Sequence, residues 1–414
     1  MTSSVVIVGS GQAGFQLAAS LRDNGFRGRV TLVGEEPQLP YQRPPLSKGF
    51  LDGDSDGAEL AFRPAQFYEE NEIDLRLGVR VERIDRAAQT VELLDGETIG
   101  YSHLVLATGV RNRSLPFAEA GLTGVVGLRT LHDADALRSR LREARDVVVV
   151  GGGFIGLEVA ATAATAGARV TVLEIGGRLM SRVATPAMAA HFAQSHRAAG
   201  VEILFGTSAT RLVAHGTRVG QVETSDGRAI AADLVVVGIG VDANDDLAAA
   251  AGLGVSNGVL VDEHLLTTDP NISAIGDCAR FQHRFASHAV RLESVQNATD
   301  QARCVARRIA GAAAAYDAVP WFWTEQLGMR LQMAGLIDGH DVVVERGDRA
   351  TGKFSVFCFR GERFVGAESV NSPADHMAAR RLLESGAPLS PAQVADPEFD
   401  LKGYSRRPLA PADV

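Results

Sequence analysis

Val5-Val6-Ile7-Val8-Gly9-Ser10-Gly11-Gln12-Ala13-Gly14 is the stretch that decides the fold. Four apolar residues run into a glycine-rich turn, and a helix-like stretch follows. The order has a chemical reason. The first glycine makes a tight turn, the second lets backbone approach a pyrophosphate, and the third lets helix pack on strand. A pyrophosphate then rests on the unsatisfied N–H groups and positive dipole of the helix N-terminus.

The signature occurs again. Val147-Val148-Val149-Val150 leads into Gly151-Gly152-Gly153-Phe154-Ile155-Gly156. A lone glycine motif is weak, but strand, helix and a later acid surround both copies here. Arg29-Val30-Thr31-Leu32-Val33-Gly34 reads as the second strand of the first unit and ends at Glu35. Ala168-Arg169-Val170-Thr171-Val172-Leu173 does the same in the second and ends at Glu174. A carboxylate there accepts from ribose hydroxyls. Two such sites imply two dinucleotides, and the usual reason to hold two is to pass electrons between them. The fold class is α/β, with two Rossmann-like dinucleotide-binding domains.

The two units also end alike. Leu104-Val105-Leu106-Ala107-Thr108-Gly109 closes the first, and Leu234-Val235-Val236-Val237-Gly238-Ile239-Gly240 closes the second. This is a duplicated architecture. Thr267 to Asp277 then reads as a turn, a short strand and an acid, with a mostly helical stretch following to about residue 312. That return segment is assigned to the first domain. From Trp321 the pattern changes. Met329 to Leu336, Asp341 to Glu345 and Phe354 to Phe359 read as strands, and Arg360-Gly361-Glu362-Arg363 turns into a fourth. Ser372-Pro373-Ala374-Asp375 opens a helix carrying Met377, Leu382 and Leu383, which stops near Gly386. The expected domains are 1–111 with 241–320, then 112–240, then a C-terminal α+β domain over 321–414.

A chain of 414 residues fits two or three domains. With 46% hydrophobic and 22% charged residues it has ordinary globular composition. A net charge of −9 opposes bulk nucleic-acid binding. No apolar run is long enough to span a membrane, and strand one begins too early for a targeting peptide. The expected location is the cytoplasm. Cys278, Cys304 and Cys358 form neither a CxxC nor a metal cluster. So sparse and odd a count suits a reducing compartment, and no metal is expected.

With Arg43-Pro44-Pro45-Leu46-Ser47-Lys48, Glu293-Ser294-Val295-Gln296-Asn297-Ala298 and Pro320-Trp321-Phe322-Trp323 added to the two motifs, the chain resembles a known family. It is similar to the FAD-dependent, NADH-using ferredoxin reductases that serve haem monooxygenases and Rieske dioxygenases, with a glutathione reductase-like fold. The resemblance spans essentially the whole chain. It implies an enzyme that moves hydride from NADH to FAD and single electrons to a [2Fe–2S] ferredoxin.

The resemblance also implies site residues. For FAD these are Gly9, Gly11, Ala13 and Gly14 at the pyrophosphate, Glu35 at the ribose, Arg43 and Arg129 on the pyrophosphate side, and Val81 at the adenine. Lys48, Ala107, Thr108, Gly109, Asp277 and Val295 complete the set, with Asp277 suited to the ribityl hydroxyls. For NADH they are Gly151, Gly153, Phe154, Ile155, Gly156, Glu174 and Gly240. Glu174 repels a 2′-phosphate and bonds a 2′-OH, although Arg178 follows four residues later. Lys48 and Glu158 are the expected catalytic pair beside flavin and nicotinamide, with Glu158 in the first turn of its helix. Plainer readings stand beside these: a surface arginine for Arg129, a turn acid for Asp277, a solvated helix acid for Glu158. Hydride transfer itself needs no protein nucleophile, only donor and acceptor about 3–3.5 Å apart in a dry site.

Most relatives of this fold carry a cysteine beside the flavin, after the second strand. Here that stretch is Arg43 to Lys48 and has none. Without a thiol relay, electrons leave singly for an external carrier. Residues 281–330 hold six arginines (284, 291, 303, 307, 308, 330) against four acids. Arg303 and Arg307 share a helical face, with Trp323 as a candidate on the electron route and Trp321 as a core anchor. Lys402, Arg406 and Arg407 either extend the patch or form a solvated tail. A monomer is expected. Two alternatives stay open: a related reductase of rubredoxin or a small acceptor, and an NADH-responsive interaction protein resembling apoptosis-inducing factor.

Overall fold

The computed structural model describes residues 3–53, 56–118, 122–312 and 314–407. The chain divides into two compact units. One comprises 1–43, 57–111 and 242–320; the other comprises 44–56, 112–241 and 321–414.

The first unit is built on a parallel five-stranded sheet. Its order is Ile272–Ala274, His103–Leu106, Ser4–Val8, Arg29–Gly34, Ile73–Leu77. The apolar motif strand is central because both its faces are covered: Val5, Val6 and Ile7 are almost wholly buried. Register pairs Val5 with Val30 on one side and with His103 on the other. Helix Gln12–Asp23 follows and buries Phe15, Leu17 and Leu21. It lies beside helix Val295–Ile309, where Gln12 Nε2 donates to Thr299 Oγ1 at 3.1 Å. A three-stranded antiparallel excursion, Val81–Asp85, Thr90–Leu93 and Thr98–Gly100, precedes the fourth sheet strand.

The second unit repeats that plan. Its parallel sheet runs Glu202–Phe205, Arg169–Glu174, Asp146–Val150, Leu234–Val237, Val125–Val126. Helix Phe154–Thr165 follows the motif strand, and an antiparallel excursion over 209–231 again precedes the strand that ends the plan. The same unit contains an antiparallel sheet ordered Trp321–Gln326, Met329–Gly335, Arg363–Val370, Lys353–Arg360, Val342–Asp348, packed by helix Pro373–Ser385.

Two sequence expectations need correction. The stretch after Asp277 is not mostly helical. Residues Ala279–Gln282 and Ala289–Val290 form antiparallel strands, and the helix starts only at Val295, where Ser294 Oγ accepts from Asn297 N at 3.0 Å. The C-terminal sheet has five strands rather than four. Trp321–Gln326 is the added one, a segment whose aromatic and β-branched side chains favour a pleated, half-buried surface.

Candidate functional site: two glycine-rich turns and a buried lysine–glutamate pair

In the first unit, the glycines divide their labour by geometry. Gly9 has φ +112°, and a Cβ there would stand 2.2 Å from the Ala107 carbonyl oxygen. A Cβ on Gly14 would stand 1.8 Å from the Gly9 oxygen. A Cβ on Gly11 would meet nothing within 4 Å. The turn is therefore closed on the protein side and open on the other. Helix Gln12–Asp23 begins at Gly11 with no side-chain cap and no acid in its first turn. The first turn therefore sets no carboxylate of its own against its free N–H groups. These features fit the pyrophosphate of a dinucleotide.

Of the other expected FAD residues in this unit, Ala107 and Thr108 lie against the turn, since a Cβ on Gly9 would meet both. Glu35 is exposed at the end of the second strand. Val79 N donates to Gly34 O at 3.1 Å, which brings the start of the Val81 strand beside it. Ala107 N donates to Val8 O at 2.8 Å, so Ala107, Thr108 and Gly109 leave the sheet next to the motif. Asn244, unremarked in the sequence, clamps Thr108: Thr108 Oγ1 donates to Asn244 O at 2.6 Å and Asn244 Nδ2 donates back to Thr108 O at 2.9 Å. Asp277 sits half-buried in the short turn Gly276–Cys278, where Gln301 Oε1 accepts from Gly276 N at 2.7 Å. Val295 opens its helix. Arg43 lies 2.5 Å from Glu36 and stacks over Tyr41, so part of its charge is already matched.

The second unit presents the same turn. Gly151 has φ +108° and its Cβ would stand 2.3 Å from Gly238 O; a Cβ on Gly156 would stand 2.5 Å from Gly151 O; Gly153 again faces open space. Helix Phe154–Thr165 starts at Gly153 without a side-chain cap or first-turn acid. Ile155 is exposed, and the Phe154 ring lies 4.6 Å from that of Phe322. Glu174 Oε2 accepts from Gly152 N at 2.8 Å and its Oε1 accepts from Gly176 N at 2.7 Å. Each oxygen keeps a lone pair for a hydroxyl. Arg178 does not reach toward this acid. Its guanidinium donates to Ala184 O at 2.5 Å and to Ser181 O at 2.8 Å. A Cβ on Gly240, φ +99°, would lie 3.7 Å from Arg182 Nη2 and 3.9 Å from Arg113 Nη1.

Lys48 and Glu158 meet in this unit. Pro44–Ser47 forms a short 3-10 turn, and Lys48 Nζ reaches Glu158 Oε2 at 2.9 Å. Ser47 Oγ donates to the same oxygen, and Thr324 Oγ1 donates to Oε1 at 2.6 Å. Glu158 is 5% exposed. It is the fifth residue of its helix, not in the first turn as expected, because the N-cap is Gly153. The solvated-acid reading therefore fails: this carboxylate is buried and held by three donors. Ser47 and Thr324 were missed in the sequence. Arg129 precedes Thr130, whose side chain caps helix Leu131–Leu141.

The arginine-rich patch contracts. Arg284 pairs with Asp317, Arg291 with Glu293 at 2.7 Å and Arg330 with Glu325 at 3.5 Å. Arg308 is partly buried and donates to Ser273 Oγ at 2.5 Å. Arg303 and Arg307 remain, both exposed on one face, with Asp300 3.7 Å from Arg303 as the one acid paired with either among the described residues. Trp321 is packed under Arg380, its ring 5.6 Å from that of Trp323. Cys278, Cys304 and Cys358 are buried and free, with burial raising the Cys278 thiol. Among the described residues no group of three His, Cys, Asp or Glu is placed to hold a metal ion, and no helix is long and apolar enough to cross a membrane.

The family model described as pyridine nucleotide-disulphide oxidoreductase matches residues 3–302, and a reductase C-terminal model matches 321–405. The chain belongs to the pyridine nucleotide-disulphide oxidoreductase family. It is 53% identical to a rhodocoxin reductase of Rhodococcus erythropolis over 96% of this chain and 93% of that one. It is similar to the ferredoxin reductase for the CYP199A2 system from Rhodopseudomonas palustris, with TM-score 0.95, 48% identity and coverage of 97% and 100%. The reductase in a covalent putidaredoxin reductase–putidaredoxin complex matches with TM-score 0.94 and 40% identity over 97% of each chain. The α/β architecture and both dinucleotide-binding folds are those the sequence implied.

Proposed function

We propose that this protein is an NADH-dependent, FAD-containing ferredoxin reductase that feeds an oxygenase. The observation that carries the reading is the pairing of two open glycine turns with a Lys48–Glu158 ion pair in a segment that holds no cysteine. A disulfide reductase of this family needs a thiol beside its flavin, and 43–48 supplies none. FAD held by these residues would supply the hydride-accepting and one-electron-donating chemistry.

The chain's own residues do the rest. The N–H groups after Gly11 receive the FAD pyrophosphate, Glu35 the adenosine ribose, and Asp277 the ribityl hydroxyls. Gly9, Ala13, Gly14, Arg43, Val81, Ala107, Thr108, Gly109, Arg129 and Val295 complete that site. The N–H groups after Gly153, with Gly151, Phe154, Ile155, Gly156 and Gly240, receive NADH, and Glu174 accepts from its ribose. Lys48, held by Glu158, supplies a positioned cation to both ligands. The domains are taken as 1–111 with 241–320 for FAD, 112–240 for NAD and 321–414 for the C-terminal domain. The protein acts as a cytoplasmic monomer.

The acceptor is a small acidic [2Fe–2S] ferredoxin docking on the Arg303–Arg307 face, with Trp323 on the electron route. Attraction between exposed charges is screened over about 8 Å at physiological salt. The KM for ferredoxin will therefore rise with ionic strength, while flavin reduction by NADH stays flat. Arg303→Glu will raise that KM about fivefold and flatten the salt dependence. Its exposed contact with Asp300 is worth little to stability, so ferricyanide reduction, which needs no docking, should persist. A ferredoxin KM indifferent to both salt and Arg303→Glu would move docking elsewhere.

A further inference from the structure

Glu158 is the first member of a longer buried series. Thr324 and Gln326 lie two apart on strand Trp321–Gln326 and so share one face. Both are buried, as is His196 near the end of helix Pro186–Ala198. His196 Nε2 is 2.9 Å from Gln326 Oε1, Gln326 Nε2 is 3.1 Å from Thr324 Oγ1, and Thr324 Oγ1 is 2.6 Å from Glu158 Oε1.

Each link has a direction. An amide oxygen only accepts, so His196 Nε2 carries the ring proton. Burial holds this imidazole below its ordinary range, so it carries a single proton at neutral pH. An amide nitrogen only donates, so Thr324 Oγ1 accepts from it and turns its own proton to Glu158. Flipping the Gln326 amide reverses everything. Thr324 would then donate to Gln326, leaving two oxygens without a proton between them 2.6 Å apart at Glu158. The His196 proton would move to Nδ1, which is buried and has no partner among the described residues. An unpaired acceptor is tolerated there better than an unpaired N–H. The observed direction is the consistent one.

We propose that Thr324, Gln326 and His196 form a one-directional hydrogen-bond chain that fixes Glu158 as an acceptor and so positions Lys48. These are positioning residues, and the proposal rests on the reading of Lys48 and Glu158 as the pair that serves hydride transfer. With Ser47 and Lys48 on Oε2 and Thr324 on Oε1, the carboxylate cannot rotate without breaking a donor contact.

The test uses the FAD-loaded protein. In the oxidised-minus-reduced infrared difference spectrum, the Glu158 carboxylate band is assigned by its loss in Glu158→Gln. Thr324→Val keeps the side-chain shape but removes the donor. It should shift that band and slow flavin reduction by NADH about tenfold, the worth of one hydrogen bond to a charged group. Thr324→Ser should restore both. Gln326→Leu, which frees the Thr324 proton to turn away, should shift the band in the same sense. An unmoved band in Thr324→Val, or a failure of Thr324→Ser to restore it, overturns the chain. If Glu158→Gln leaves flavin reduction unchanged while the band still moves in Thr324→Val, the chain stands and the catalytic reading of the pair falls.

Discussion

NADPH will reduce the flavin about 100- to 1,000-fold less efficiently than NADH in kcat/KM, because a 2′-phosphate placed beside the Glu174 carboxylate costs several kcal/mol. The structure strengthens this expectation in one respect and complicates it in another. Arg178, the cation nearest in sequence, is committed to the carbonyls of Ser181 and Ala184 and cannot swing to rescue the phosphate without losing them. Glu174, however, also holds the turn together, accepting from Gly152 N and Gly176 N. Replacing it therefore removes more than a charge. Glu174→Ala with Ile175→Arg will narrow or invert the preference, since Ile175 is 77% exposed and an arginine there has room. The same variant will also raise the KM for NADH, because two backbone N–H groups lose their acceptor. Steady-state kcat/KM for both coenzymes measures each effect. Equal efficiencies in the native protein would show that Glu174 does not meet the ribose.

The duplicated plan was readable because its signals are local. An apolar run, a glycine turn and an acid after the next strand each declare themselves within about 30 residues, and both sheets formed as that spacing implied. What escaped was of two kinds. Trp321–Gln326 carries a strand signal in its aromatic and β-branched residues, yet it directly follows Pro320, where the pattern changes, and so reads as a domain boundary. The donors to Glu158 escaped for a stronger reason. Ser47 and Thr324 are 111 and 166 residues away from it in sequence, and no local pattern marks a hydroxyl for a distant carboxylate. The family resemblance marks Glu158 as the partner of Lys48, and its burial and three donors are what exclude the solvated helix acid. The basic patch was overcounted because residue counts ignore pairing: Arg284, Arg291 and Arg330 already face acids.

Gly11→Ala will give a folded protein that has lost its FAD, whereas Gly14→Ala will give one that has lost stability first. The two glycines sit three residues apart in one turn, and their surroundings differ completely. Gly11 has φ −75°, which alanine adopts freely, and its added methyl would touch no protein atom within 4 Å. The apoprotein should therefore unfold at an unchanged temperature. The methyl instead enters the space left for the pyrophosphate, and FAD should bind about 100-fold more weakly, the loss of one or two hydrogen bonds to a charged group. At Gly14 the methyl would stand 1.8 Å from the Gly9 oxygen and 3.2 Å from Leu32 Cδ1. Both neighbours are fixed, one by the strained turn and one by the core. The helix must move off the sheet, at a cost of about 1–3 kcal/mol or more. Flavin content and the melting temperature of the apoprotein separate the two outcomes. Should Gly11→Ala retain yellow colour through gel filtration, the open side of this turn is not where the dinucleotide lies.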